Sequence, residues 1–297
     1  MMELRVLRYF LAVAREGSLT AAANVLHVTQ PTLSKQIKEL EERLGAKLLV
    51  RHSHSVTLTA EGMRLRKRAE EILDMVDKTE AEFNATEDDV IGEIHIGGGE
   101  TRAMRKIAEI IDAMRLEHPN IRYELHSGNA IDVMERLDKG LLDFGILLQP
   151  ADLAKYDYVD LPEKDEWGIL MRKDSPLAEK KTLRRKDVVN LPLIGSRLTA
   201  QRGKNKNPLS EWFGRDFDRL NIVARYNLIY NATLLVEQGI GYALAIDGLA
   251  NVTDTSVLCF RPLEPRLESG LNLVWKKYQA FSPGAQIFLK HVEQRFA

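Results

Sequence analysis

The apolar positions of this chain change period along its length, and the changes mark out its parts. Over residues 3–16, Leu4, Leu7, Phe10, Leu11 and Ala14 fall at helical spacing. Ser18 is a good N-cap for a compact second helix through Ala21, Ala22, Ala23, Val25 and Leu26, and His27 and Val28 supply a turn. Thr29 then caps a longer helix that tolerates Pro31 in its first turn. There Leu33, Ile37, Leu40 and Leu44 form one stripe expected to be buried, and Gly45 ends the run. From Lys47 to Thr57 the short apolar runs LLV and VTL flank RHSHS, the pattern of a β-hairpin with Arg51, His52 and His54 at its tip. From Thr59 to about Asp88, Leu65, Ala69, Ile72, Val76, Thr79 and Phe83 recur at four-three spacing between charged faces. That is the seam of a two-stranded coiled coil.

After Gly92 the period alternates between strand and helix, as in a parallel sheet with helices on its faces. GEIHIGG reads as a strand, and Met104, Ile107, Ala108, Ile111 and Met114 as one face of a helix. IRYELH alternates Ile121, Tyr123 and Leu125. Ile131, Met134 and Leu137 define a short helix closed by Gly140, and DFGILL is the next strand. A second α/β lobe begins near Trp167 after PEKDE, with Asn231 expected to cap the helix ATLLVEQG and YALAID a buried strand. VLCFRPL returns toward the first lobe, which LNLVWKKY and a helix over 283–296 complete. Two crossings, near 161–166 and 262–268, would form a hinge.

Composition narrows the options. At 297 residues with 44% hydrophobic and 29% charged positions, the chain fits two or three ordinary globular domains. Its net charge of −1 argues against a general nucleic-acid coat, yet residues 1–58 hold eight basic and five acidic side chains, a net of +3. A single cysteine, Cys259, precludes an intrachain disulfide. No apolar run approaches a membrane span, and the run after Arg5 and Arg8 is too short for a signal peptide, so a cytoplasmic protein is expected. His52 and His54 lack neighbouring cysteines or carboxylates to complete a metal site, and no cofactor is expected.

The paired helices leave Gln30, Thr32, Ser34, Lys35 and Lys38 on open faces of the longer one. A helix with such an uncharged-polar and basic face suits the major groove of double-stranded DNA. The hairpin suits a wing on the minor groove or backbone, with Arg51 as its contact and His52 beside it. The residues FLAVAREGSLTAAANVL, TQPTLSKQIKELEERLG, KLLVR and LTAEG resemble the winged helix-turn-helix of LysR-type transcriptional regulators. Leu49-Val50 departs slightly from the family's more frequent Leu-Phe and keeps its apolar character. GEIHIGGGET, HPNIRYELHSG and LDKGLLDFGILL are similar to the start of the family's effector-binding domain, and the resemblance extends over essentially the whole chain.

The resemblance implies an α/β protein of three parts. These are a winged helix-turn-helix over 1–58, a dimerisation helix over 59–88, and a two-lobed effector-binding domain over 89–297 like the type 2 periplasmic binding proteins. Lobe I would take about 90–161 and 268–297, and lobe II about 166–262. Its DNA contacts would come from Ser18, Thr20, Thr29, Gln30, Pro31, Thr32, Ser34, Lys35, Lys38, Arg51 and His52. The implied assembly is a homodimer or dimer of dimers, with RNA polymerase a further partner if the protein activates.

Open α/β lobes bind ligands beyond the carboxyl ends of their strands. By family position Thr101 and Ser196 resemble cleft-lining residues, with Arg102, Asn129, Arg197 and Thr233 as neighbours. The glycines of GGGETR would let backbone approach a ligand, and Thr101 either caps a helix or meets an anion there. Glu100 and Asp247 complicate a simple anionic effector: they pair with Arg102 and Arg197, or they read an amine or hydroxyl. The basic loop with Arg202, Lys204 and Lys206 reads as a solvated surface loop, with a lid or an assembly contact as its rivals. A solute-binding protein would explain the last two-thirds of the chain but not its start. An enzyme would need a nucleophile–base pair or metal cluster, and His95, His118 and His126 fall on separate elements.

Overall fold

The computed structural model describes residues 3–52, 55–84, 92–196 and 208–296, side chains at 78 and 81–84 excepted. Two compact units divide the chain, residues 1–84 and 85–297.

In the first unit, α1 (Leu4–Glu16), α2 (Leu19–Val25) and α3 (Gln30–Leu44) precede β1 (Leu49–Arg51), β2 (Val56–Leu58) and the long α4 (Ala60–Asn84). The caps are those the sequence predicts. The Ala21 N–H donates to Ser18 Oγ at 3.4 Å, and the Thr32 N–H to Thr29 Oγ1 at 3.4 Å. Gly45 closes α3 at φ +63°, a left-handed position that a side chain would resist. Phe10, Val13, Ala22, Leu33, Ile37 and Leu40 pack as one core. Leu44 is a correction: it is 44% exposed, because α3 ends there and the chain turns away at Gly45. Glu41, one turn earlier, is the buried side chain instead. On α4 the expected seam is divided. Ala69 and Leu73 pack under Leu7 of α1 with the half-buried Leu65 and Ile72 against them, while Val76 is half-buried outside that cluster and Thr79 is exposed.

The second unit contains two lobes. Lobe I is built on β3 (Gly92–Gly98), β4 (Ile121–Ser127) and β5 (Phe144–Leu148), all parallel, with α5 (Met104–Glu117) and α6 (Ala130–Asp138) between them. The strand β6 (Tyr156–Arg172) then runs through both lobes without a break. Lobe II follows with β7 (Leu183–Arg184), α7 (Arg185–Val188), β8 (Leu193–Ser196), α8 (Pro208–Phe213), β9 (Ile222–Tyr226), α9 (Ile229–Glu237), β10 (Tyr242–Ile246) and β11 (Leu258–Glu264). β12 (Glu268–Lys276) and α10 (Pro283–Phe296) return to lobe I, where β12 lies antiparallel between β5 and β6.

Each lobe has its own core, Ile96, Ile107, Phe144, Leu273 and Phe288 in the first and Ile169, Leu193, Leu209, Phe213 and Leu263 in the second. The crossing read as a linker at 161–166 lies inside β6, paired with β12 through Asp165↔Ser269 and Glu166↔Glu268. A continuous strand forms because both of its halves find an antiparallel partner. Other apolar assignments shift. Ile110 rather than Ala108 is buried on α5, Val133 takes the place expected for Ile131 on α6, and Leu125 is exposed on the edge strand β4. Asn231 lies inside α9, whose N-cap is Leu228. No helix among the described residues is long and apolar enough to cross a membrane.

Candidate functional site

In the first unit the side chains named from sequence gather on α3 and its two neighbours. At about 3.6 residues per turn, Gln30, Ser34 and Lys38 stand one above another on α3, with Pro31 and Lys35 alongside. Pro31, Lys35 and Lys38 are exposed, and Gln30 and Ser34 half-buried. Thr29 and Thr32 are committed to each other, their hydroxyls 2.8 Å apart at the N-terminus of α3. Lys35 and Lys38 are loosely held by Glu39 and Glu42, at 3.9 and 3.6 Å one turn along. Ser18 caps α2, and Thr20 is exposed on that helix.

The wing is fastened to this helix at two places. Arg51 Nη1 donates to Ser34 Oγ at 3.0 Å. Glu41 Oε1 accepts the N–H groups of Leu48 and Leu49 at 2.8 and 3.2 Å, and Lys47 Nζ reaches Oε2 at 3.2 Å. Burial alone would raise the Glu41 carboxyl, but the two backbone donors and Lys47 outweigh it and hold the group below its usual range. His52 Nε2 sits 3.3 Å from Thr57 Oγ1 across the hairpin, and His54 lies outside the described residues.

In the second unit a cavity of about 130 Å³ opens between the lobes. Gly99, Glu100, Thr101, Gly128 and Asn129 line it from lobe I, and Ser196, Tyr226, Asn227, Ile229 and Leu249 from lobe II. Apart from Ile229, which opens α9, these lie at or just beyond the carboxyl ends of β3, β4, β8, β9 and β10, where open α/β lobes bind ligands. Thr101 Oγ1 accepts the Ala103 N–H at 3.1 Å, and Asn129 Oδ1 caps α6 by accepting from Ile131 and Asp132 at 3.0 and 3.2 Å. Capping and cleft lining therefore coincide at both residues.

One expected glycine role changes. A Cβ on Gly97 would meet Leu142 at 2.3 Å, so this glycine admits close packing within lobe I. Of the run, Gly99 faces the cavity.

Three named residues lie away from the cavity wall. Thr233 is buried within α9, its hydroxyl donating to the Tyr230 carbonyl at 2.7 Å. A helix-interior threonine turned back onto its own backbone has no hydroxyl proton left to donate, and Thr233 is not part of the cavity lining. Arg102 and Asp247 pair with each other at 3.2 Å, joining the lobes outside the cavity. Gly248 makes this reach feasible: it adopts φ +76°, and a Cβ there would meet Arg102 Cδ at 2.4 Å. Arg197 lies outside the described residues, as does the basic loop through Arg202, Lys204 and Lys206.

The cavity also holds side chains that sequence reading passed over. Asp165 and Trp167 belong to the crossing part of β6. Trp167 Nε1 donates to Ser269 Oγ at 2.9 Å, both groups buried, which fixes the indole in the wall. Asp165 is 2% exposed and its Oδ2 has no hydrogen-bond partner. Burial pushes its carboxyl up, more than Thr101 and Arg102 pull it down. Glu100 Oε2 accepts the N–H of Ile229 in the first turn of α9, a carboxylate of lobe I held at a helix N-terminus of lobe II.

A winged helix-turn-helix followed by a two-lobed α/β domain with a cleft defines a class of ligand-responsive DNA-binding proteins. Residues 4–63 match the bacterial regulatory helix-turn-helix protein, lysR family, and residues 87–297 match the LysR substrate binding domain. The chain belongs to the LysR family of DNA-binding transcriptional regulators. It is 31% identical over 299 residues to the Hca operon transcriptional activator HcaR of Escherichia coli (strain K12), covering 100% of this chain and 99% of that one. It is 26% identical over 297 residues to the uncharacterized HTH-type transcriptional regulator YvbU of Bacillus subtilis (strain 168), covering 99% of each. Among solved structures it is similar to CbnR, a LysR family transcriptional regulator, with a TM-score of 0.75 at 22% identity over 100% of both chains. Full-length CbnR complexed with its target DNA gives a TM-score of 0.73 at 22% identity over 99% of both chains.

Proposed function

We propose that this regulator reads operator DNA with the exposed face of α3 and with Arg51 of its wing, and that a small effector in the interlobe cleft adjusts that binding. The observation that carries the DNA reading is the convergence on one surface of Gln30, Ser34, Lys35 and Lys38 with Arg51. Uncharged donors beside lysines suit base edges and phosphates together. The direct contacts are assigned to Pro31, Ser34, Lys35, Lys38, Arg51 and Gln30, with His52 and Thr20 at the margins. Ser18, Thr29 and Thr32 act chiefly by holding the helix ends.

The working unit is a homodimer or a dimer of dimers, so that two copies of α3 meet two half-sites. Val76, half-buried on α4, together with the part of Ile72 left open beside its own cluster, supplies the apolar side offered to a second copy. In the second unit Glu100, Thr101, Asn129 and Ser196 contact the effector, while Arg102 and Asp247 set how tightly the lobes close. The protein performs no catalytic step, works in the cytoplasm beside its DNA, and contacts RNA polymerase where it activates. An effector changes operator binding only through unequal affinity for two arrangements of the assembly.

A footprint on the DNA upstream of its own gene, with and without a small-molecule extract of host cells, tests the reading. Two protected half-sites whose spacing or hypersensitive bands change with extract are expected. Protection unaltered by extract removes the effector half of the proposal, and operator affinity unchanged both by Lys35→Ala and by a bulky replacement of Ser34 removes the assigned DNA face.

A further inference from the structure

Among the described residues the lining of the cleft is chemically one-sided. Asp165 is buried to 2% exposure in its wall, and Oδ2 has no hydrogen-bond partner. A buried carboxylate oxygen is costly unless a donor reaches it, and a charged donor compensates best. Glu100 adds a second carboxylate to the same wall. Its Oε2 takes the Ile229 N–H, so the helix end that would attract an anionic ligand already holds an anion of the chain itself. Among the described residues that line the cavity there is no Lys, Arg or His. Arg102, the described cation beside the cavity, is engaged by Asp247 outside it.

The rest of the lining sets the ligand's body. Ile146, Leu148, Trp167, Ile246, Leu249 and Leu271 are apolar, and Trp167 is locked by Ser269. The volume of about 130 Å³ is close to the roughly 150 Å³ of an apolar cavity that admits benzene. A carboxylate-bearing molecule of that size would meet two carboxyl groups and compete with Glu100 for the N-terminus of α9. An alcohol would offer Asp165 one donor and no charge. An ammonium group offers three donors and the opposite charge.

We propose that the effector is a small amine, a single ammonium group on an apolar body about one ring in size, with the ammonium seated on Asp165 and the body against Trp167 and Leu271. This rests on reading the interlobe cleft as the effector site. Glu100 completes the preference by excluding acids from the end of α9.

Titration calorimetry on the full-length protein with benzylamine, benzyl alcohol and benzoate tests it, since the three share one ring and differ in the polar group. Benzylamine is expected to bind at least about tenfold tighter than either counterpart. Asp165→Asn should weaken benzylamine at least about tenfold and bring it level with benzyl alcohol. Glu100→Gln should weaken it severalfold, which keeps the test open if Asp165→Asn does not fold. Ala130→Phe, at the cavity wall, should weaken all three probes. Tightest binding of benzoate that Ala130→Phe removes would overturn the amine class and leave the cleft reading standing. Equal binding of all probes to wild type and Ala130→Phe would place them elsewhere and sink both. No benzylamine heat at millimolar concentration overturns the amine class, with the extract footprint deciding the cleft separately.

Discussion

Arg51 of the wing donates to Ser34 of α3 at 3.0 Å, so two side chains assigned to DNA are already fastened to one another in the free protein. The contact orients the guanidinium beside the helix face before any phosphate arrives. Arg51→Ala should therefore cost more than one phosphate contact, because the wing loses its tether as well. A double-mutant cycle with Ser34→Ala on operator affinity should show a coupling of about 0.5–3 kcal/mol. Strict additivity would mean that the hydrogen bond carries no binding function.

Lys35 and Lys38 call for a different measurement. Their ion pairs with Glu39 and Glu42 are long and exposed, so leaving them for phosphate costs little. Each replacement by alanine should weaken binding to every sequence similarly and lower the slope of log affinity against log salt by about 1. A change confined to one base position would instead make that lysine a base reader.

Glu41 ties α3 to the first residues of the wing through Leu48 and Leu49. Glu41→Ala would leave two backbone donors without their partner, a loss of about 1–3 kcal/mol. Hydrogen exchange at the Leu48 and Leu49 amides should accelerate about 5–150-fold, the same energy expressed as an equilibrium. The sign with pH follows from its lowered carboxyl. The folded unit binds this proton more weakly than the unfolded chain, so the stabilisation is complete above the ordinary value of 4.5 and is lost as pH falls below it. Glu41→Gln should flatten the acid limb of a stability–pH curve between about pH 5 and 3.

Much of this was legible in the sequence because local signals agreed. Ser18, Thr29 and Gly45 punctuate the helices, and the Leu33, Ile37, Leu40 stripe left one face of α3 for solvent. The cleft was legible through Thr101, Asn129 and Ser196, since parallel strands present their carboxyl ends to ligands. Asp165 and Trp167 escaped for a physical reason. They lie in an antiparallel crossing strand whose charged run PEKDE reads as linker, and burial there comes from β12, more than a hundred residues away. Glu41 escaped likewise, since its partners come from the turn after the helix. Thr233 misled because a threonine on a helix facing a cleft is indistinguishable in sequence from one bonded to its own backbone.

The pair Arg102–Asp247 gives the last prediction. It links the lobes at 3.2 Å, with Arg102 lying across Gly248, and both side chains are well exposed. An exposed pair contributes only about 0–1 kcal/mol, so Asp247→Asn should leave thermal unfolding of the domain nearly unchanged. The same energy matters more to lobe closure, where about 1 kcal/mol alters an open–closed ratio about fivefold. Small-angle scattering should detect a larger mean radius in Asp247→Asn. Gly248→Ala should reproduce it without altering any charge, because a Cβ there would collide with the arginine stem. If both variants scatter as the wild type does, the pair is incidental to closure and the lobes are held by β6 and β12 alone.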